Sequence, residues 1–124
     1  MKAILLVGLG GGIGSILRYL TTLLTAKWSL NSLSPATLIA NILGCLLIGL
    51  FISSIENKGM INQDLKLLLV TGFCGGFTTF STFSLENIQL IQNGHVGQAI
   101  LYSLTSIIVG LVAVLVGIQL IKVI

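Results

Sequence analysis

Residues 72–86 read GFCGGFTTFSTFSLE, and they sit inside a long apolar segment that runs from about Asp64 to Ile91. Gly72, Gly75 and Gly76 are followed by Thr78, Thr79, Ser81, Thr82 and Ser84, all within thirteen residues. Glycines and β-branched threonines both weaken a helix. In lipid, unwound backbone persists only where protein buries it or a watery cavity meets it. The stretch therefore predicts a membrane span made of two half-helices around a polar break at mid-membrane depth. Carbonyls released at such a break suit a small cation such as Na⁺. Phe80 and Phe83 follow, one turn apart. Their ring edges carry partial positive charge and suit an anion without presenting it a cation; plain packing is the ordinary use of phenylalanine, and spacing alone leaves both uses open.

Working outward, the composition sets the solvent. Of 124 residues, 55% are hydrophobic and 7% charged, and the mean hydropathy is +1.11. Soluble domains carry roughly 25% charged residues, so this chain lacks the means to cover a water-facing surface. A span needs about 20 mostly apolar residues, which leaves room for four. They run from about Ala3 to Leu24, Ser34 to Ser54, Asp64 to Ile91 and Val96 to Ile121, joined by polar connections at Thr25 to Leu33, Ile55 to Gln63 and Gln92 to His95. Continuous helix satisfies the backbone in lipid. The expected architecture is an all-α integral membrane protein, one four-helix transmembrane domain over residues 1–124. Pro35, the one proline, falls near a helix start, where its missing N–H costs little.

Charge is sparse. Lys2, Arg18, Lys27, Lys58, Lys66 and Lys122 stand against Glu56, Asp64 and Glu86, singly placed. A nucleic-acid binder would show a basic stripe. Four spans put both termini on one side, with Lys2, Lys58, Lys66 and Lys122; the other side holds Lys27, Arg18 and His95, the last expected to be exposed in its loop. Lys/Arg bias in short loops sets orientation. Here it is slight, and insertion either way round is expected. Cys45 and Cys74 sit in apolar stretches without metal or disulfide spacing and read as small buried hydrophobes. Lys2 before an apolar run resembles a cleaved leader, but the glycines, Arg18 and the lack of a small-x-small cleavage site favour a first span.

The opening KAILLVGLGGGIGS imitates a dinucleotide-binding turn, yet Ser15 stands where the third glycine belongs and no strand–helix alternation follows. Helix packing accounts for it better. Gly8 and Gly12, Gly10 and Gly14, and Gly11 and Ser15 are each four apart, the small-xxx-small spacing of close membrane helices.

Polar residues within spans are costly and tend to face a partner or a cavity. Arg18 reads as a snorkelling side chain or a functional one, with Tyr19 an interfacial anchor beside it. Asn41, Cys45 and Gly49 share a face, and Asn41 serves equally as interhelical glue or pore lining. Tyr102 and Ser106 share a face with Gly110, whereas Ser103 and Thr105 point elsewhere. Glu86 lies deep enough to be a working carboxylate and close enough to the far interface to be merely solvated. No Ser/His/Asp set, metal cluster or phosphate loop is present, so the chain is not expected to be an enzyme.

Three motifs, in this order on four spans, carry a family resemblance: GGIGSILRY at Gly11–Tyr19, TLIANILG at Thr37–Gly44, and the Gly72–Glu86 stretch. The chain resembles the Fluc fluoride channels, also called CrcB proteins, over its whole length. The resemblance implies an antiparallel, dual-topology homodimer in the cell (plasma or inner) membrane, with two narrow fluoride pores and a role in fluoride resistance. It implies a structural Na⁺ at the dimer centre, held by backbone carbonyls at the positions of Gly75 and Thr78. Fluoride would meet the ring edges of Phe80 and Phe83, the Asn41 amide, the hydroxyls of Thr37, Ser81 and Thr82, the Glu86 carboxylate near the pore mouth, and a track through Tyr102 and Ser106. Arg18 matches the motif arginine. Ser15, Ala36 and Ala40 are small departures from the family pattern; Gly110 replaces a serine that extends the track in some members.

The expected activity is passive electrodiffusion of fluoride, without ATP or a coupled ion. The alternative is a small four-helix, dual-topology exporter of organic cations, which would want a carboxylate deep in the first span, where this chain has Arg18. A membrane subunit with no transport of its own would leave the polar third span without a use.

Overall fold

The computed structural model describes residues 1–29, 34–57 and 62–123, and its elements are helices throughout. Helix α1 (Lys2–Thr25) continues into a 3₁₀ turn at Ala26–Trp28, and α2 spans Pro35–Asn57. Helix α3 covers residues 63–77, α4 covers Phe80–Gln92, and α5 covers Val96–Val123. Together these make four segments long and apolar enough to cross a membrane: Lys2–Trp28, Pro35–Glu56, Gln63–Gln92 and Val96–Val123. The chain is a multi-pass membrane protein of four spans, the third of them divided. Along the outer faces of α1 and α5, Leu9, Ile13, Ile16, Leu104, Ile108 and Leu111 are exposed, as lipid-facing residues must be. The second span runs longer than its hydropathy suggested: Ile55, expected to open a connection, is still helical and buried. Lys58, counted in the charge balance, lies outside the described residues.

The third span is irregular along its length. Asn62 caps its start, its side-chain oxygen accepting from the Leu65 N–H at 3.2 Å. A π-helical stretch then occupies Lys66–Cys74, followed by one α turn at Gly75–Phe77. Thr78 (φ −81°, ψ 159°) and Thr79 (φ −152°, ψ 116°) are extended, and helix resumes at Phe80. The expected mid-span break is therefore present, but two threonines form it. The glycines before it are helical, and two of them, Gly72 and Gly76, serve another purpose.

That purpose is close approach. A Cβ on Gly10 would overlap the Leu68 carbonyl oxygen, and one on Gly14 the Phe73 carbonyl; from the other side, Gly72 and Gly76 meet Val7 and Gly11 in the same way. Helices α1 and α3 thus pack backbone to backbone and run parallel, with the exposed Lys2 paired to Asp64 at their shared end. Gly8 and Gly12 face open space, so only part of the small-residue pattern of α1 forms this contact. A second close approach joins α2 to α5 through Gly49 and Gly117, with the Ser53 hydroxyl donating to the Ile118 carbonyl at 3.3 Å.

Helix α4 rests chiefly on α5. Leu90, Ala99 and Tyr102 form a small buried cluster there, with Leu38 and Phe83 packed against it. The turn between them closes on Gly94 (φ +80°), where His95 and Gly94 donate their N–H groups to the carbonyls of Leu90 (2.8 Å) and Ile91 (3.1 Å). This helix-ending arrangement favours glycine because its φ is positive. It also draws His95 into a half-buried position in place of the exposed one expected.

Candidate site at the break in the third span

The break leaves two helix ends facing one another, and each has unsatisfied backbone groups. Thr79 caps α4: its Oγ1 accepts from the Thr82 N–H at 3.2 Å, while its hydroxyl donates to Thr82 Oγ1 at 3.1 Å and contacts Ser81 Oγ at 3.3 Å. Asn41, projecting from α2, clamps the same residue through its peptide groups. Its Oδ1 accepts from the Thr79 N–H at 2.7 Å, and its Nδ2 donates to the Thr79 carbonyl at 3.1 Å. One amide thereby supplies both bonds that an adjacent strand would offer this extended residue. Gly44, one turn along α2, makes room for the Thr78 methyl, which a Cβ there would overlap.

On the α3 side, the Thr78 N–H and hydroxyl both donate to the Cys74 carbonyl, at 3.0 and 2.9 Å. The Gly76 carbonyl accepts from Arg18 Nε at 3.2 Å and from Ser15 Oγ at 3.4 Å. Arg18 is accordingly a cap on the negative end of α3, an arrangement that suits a cation. An unbroken helix would deliver the Thr79 N–H to the Gly75 carbonyl and the Thr82 N–H to the Thr78 carbonyl. Both donors are diverted, the first to Asn41 and the second to Thr79 Oγ1.

A cavity of about 530 Å³ adjoins the break, and Asn41, Cys45, Cys74, Gly75, Thr78, Thr79, Phe80, Phe83 and Ser106 are among its lining residues. Among the described residues, no Asp, Glu, Lys or Arg lines it. Ser106 Oγ is buried without a hydrogen-bond partner among the described residues. The Phe80 and Phe83 rings stand 5.8 Å apart, and Phe83 lies tilted against Tyr102 at 5.2 Å. Phe80 is 79% exposed as well as part of the cavity lining.

Next to the cavity, Glu86 is buried, which decides against the solvated reading of that carboxylate. Its Oε1 accepts from the Thr37 hydroxyl at 2.7 Å and its Oε2 from the Tyr102 hydroxyl at 2.7 Å. The sequence candidates therefore fall into four places. Asn41, Gly75, Thr78, Phe80, Phe83 and Ser106 line the cavity; Thr37, Glu86 and Tyr102 form one hydrogen-bonded cluster; Ser81 and Thr82 stand at the start of α4; Arg18 caps α3. Sequence reading missed Asn87 beside them and set Ser103 aside as pointing elsewhere. Asn87 donates through Nδ2 to the Phe83 carbonyl at 2.9 Å and accepts through Oδ1 from the Ser103 hydroxyl at 2.9 Å. Their positions next to Glu86 and Tyr102 were the available signal.

The arrangement offers a small ion neutral donors, ring edges and carbonyls whose usual helix donors are engaged elsewhere, with no fixed charge among the described residues of the cavity wall. Comparison with known proteins agrees with that chemistry. The model of a family described as CrcB-like protein, camphor resistance (CrcB), matches residues 5–118. A protein of Flavobacterium psychrophilum named fluoride-specific ion channel FluC is 48% identical over 122 residues, covering 98% of each chain. Proteins of the same name from Gloeothece citriformis (48% identity, 98% of each chain) and Azobacteroides pseudotrichonymphae (44%, 94% of each) are similarly close in length.

Proposed function

The chain belongs to the CrcB-like family, and from that membership we propose that it is a fluoride-selective channel through which fluoride leaves the cell by passive electrodiffusion. The observation that carries the proposal is the broken third span opening on a cavity whose wall, among the described residues, has donors but no fixed cation. The names of the relatives supply the identity of the ion.

A weak acid enters neutral, ionises inside and is trapped as its anion. A negative interior favours exit by about 2.3 kcal/mol per 100 mV for one charge, so neither ATP nor any bond-making step is needed, and the protein is no enzyme. The ion needs replacements for its water. Ser106 Oγ, the second hydrogen of the Asn41 amide, the ring edges of Phe80 and Phe83 and the first N–H groups of α4 are placed to offer them. Ser81, Thr82, Thr37, Tyr102 and Glu86 continue the polar route along α4. Weak, multiple contacts suit release as well as entry.

The reading includes an inverted homodimer with Na⁺ at its centre. Gly75 and Thr78 suit that ion because the N–H donors their carbonyls would meet in a continuous helix are engaged elsewhere. When bound, the ion would tie two such breaks together; the ring edges and hydroxyls act on the anion. The exposed Phe80 ring forms part of the cavity wall, which leaves room for a partner subunit to complete that wall at this face.

Purified protein in liposomes, loaded with fluoride and assayed with a fluoride electrode, tests the function directly. Rapid fluoride efflux with little chloride efflux is expected; no fluoride flux, or an equal chloride flux, overturns it. Phe80→Ile and Phe83→Ile should each lower the flux at least tenfold, and undiminished flux would remove the ring edges from the pathway. Exchange of Na⁺ for a large organic cation throughout purification is expected to abolish flux or dissociate the dimer.

A further inference from the structure

The Asn87–Ser103 bond lies outside the cavity and outside the Glu86 cluster, on the far side of the seam between α4 and α5. We propose that Asn87 and Ser103 are a positioning pair that sets the roll of α4 on α5 and so fixes the Phe83 ring against Tyr102. The inference rests on the channel reading only for its consequence, not for its geometry.

Three observations carry it. First, Asn87 is anchored at both ends, by its Nδ2 on the Phe83 carbonyl one turn back and by its Oδ1 on the Ser103 hydroxyl of α5. Second, the neighbouring pair Glu86–Tyr102 bridges the same two helices at 2.7 Å. Consecutive residues project about 100° apart around a helix, so the two bonds brace α4 on either side of its contact line and resist roll in both senses. Third, beyond the turn at Gly94 the buried cluster of the seam, Leu90 against Ala99 and Tyr102, is apolar and non-directional. Such contacts resist separation but leave small rotations cheap.

The bond that anchors Asn87 is also the one nearest the phenylalanine. It ends on the Phe83 carbonyl itself, and the Phe83 ring lies 5.2 Å from Tyr102 and 5.8 Å from Phe80. A rolled α4 would swing this ring while keeping its helix intact. An interhelical hydrogen bond in a membrane contributes only modestly to stability, and two apolar side chains would hold the seam as well. Angular precision at the ring is what the polar pair adds.

The test uses the full-length protein with a single ¹⁹F-labelled phenylalanine at position 83, compared with Ser103→Ala, Asn87→Leu, the double variant and Ser103→Thr. The wild type should give one sharp ¹⁹F resonance. Ser103→Ala and Asn87→Leu should each broaden or split it and lower the fluoride-to-chloride flux ratio about three- to tenfold, consistent with the loss of one such bond. The double variant should do no more than the worse single, since both lose the same bond, and Ser103→Thr, which keeps the hydroxyl, should restore the wild-type spectrum. An unchanged resonance and flux ratio in Ser103→Ala, which removes one oxygen, or additive effects in the double variant, would overturn the proposal even if Asn87→Leu failed to assemble. A wild type that holds the sharp resonance but passes no fluoride would instead defeat the channel reading and leave the positioning role standing.

Discussion

Asn41 and Glu86 do different work with similar means. The Asn41 amide satisfies one peptide through both of its groups, and in a low-dielectric setting each buried group left unpaired costs about 1–3 kcal/mol. Asn41→Ala is expected to lower the thermal stability of the purified protein and cut fluoride efflux more than tenfold. Asn41→Asp keeps an acceptor for the Thr79 N–H but turns a second oxygen toward the Thr79 carbonyl, so efflux should fall there too. Glu86 accepts from two hydroxyls, and hydroxyls can turn to accept as well as donate. Glu86→Gln should therefore retain most of the stability that Glu86→Ala loses, as read by thermal unfolding in detergent. Both residues were visible in the sequence as polar groups in apolar segments. That Asn41 grips backbone, and that Glu86 is shielded from water, depends on neighbours 38 and 49 positions away, which no local pattern identifies.

Among the elements, the small-residue seams carry the assembly. Gly14 and Gly49 leave no room for a methyl against facing backbone, which cannot give way as a flexible side chain does. Gly14→Ala and Gly49→Ala are each expected to destabilise by about 1–3 kcal/mol through overpacking, more than Gly8→Ala or Gly12→Ala, where the added methyl meets nothing within 4 Å. Thermal melts of the four variants side by side check this. The third span shows how propensity names a region more reliably than a residue. Its glycines and threonines both count as helix weakeners, but Gly72 and Gly76 are helical and let α1 come close, whereas Thr78 and Thr79 take the extended conformation. Propensity flagged the region. Competition for the backbone by Asn41 and the Thr79 hydroxyl determined the two residues at which it opens.

At the scale of the molecule, the described basic side chains divide between the two ends. Lys2, Lys66 and Lys122 lie at one end of the bundle, with Lys27 at the other and Arg18 in the half of its helix nearer Lys27, a bias of three against two. Ala26→Lys with Ser29→Lys, which would place three lysines in one short connection, should drive that connection to the cytoplasmic side, seen with reporter tags at either terminus. If the working unit is an antiparallel pair, this variant alone should lose fluoride resistance, and co-expression with a variant biased the opposite way should restore it. Restoration by neither, or full activity of the biased variant alone, would count against the inverted pair.

The sequence by itself determined the number of spans, their helicity and the presence of a polar interruption in the third. These follow from hydropathy and from the need of lipid-embedded backbone to bond within its own segment, and both are local properties. The tertiary structure decided how the interruption is used. It set which carbonyls lose their donors, which amide holds the open peptide, and which rings face the cavity. Those outcomes depend on distances between α2, α4 and α5 that only the packed chain defines. The stretch at residues 72–86 was legible as a break; its place in the wall of a cavity came from what α2 and α5 bring to it.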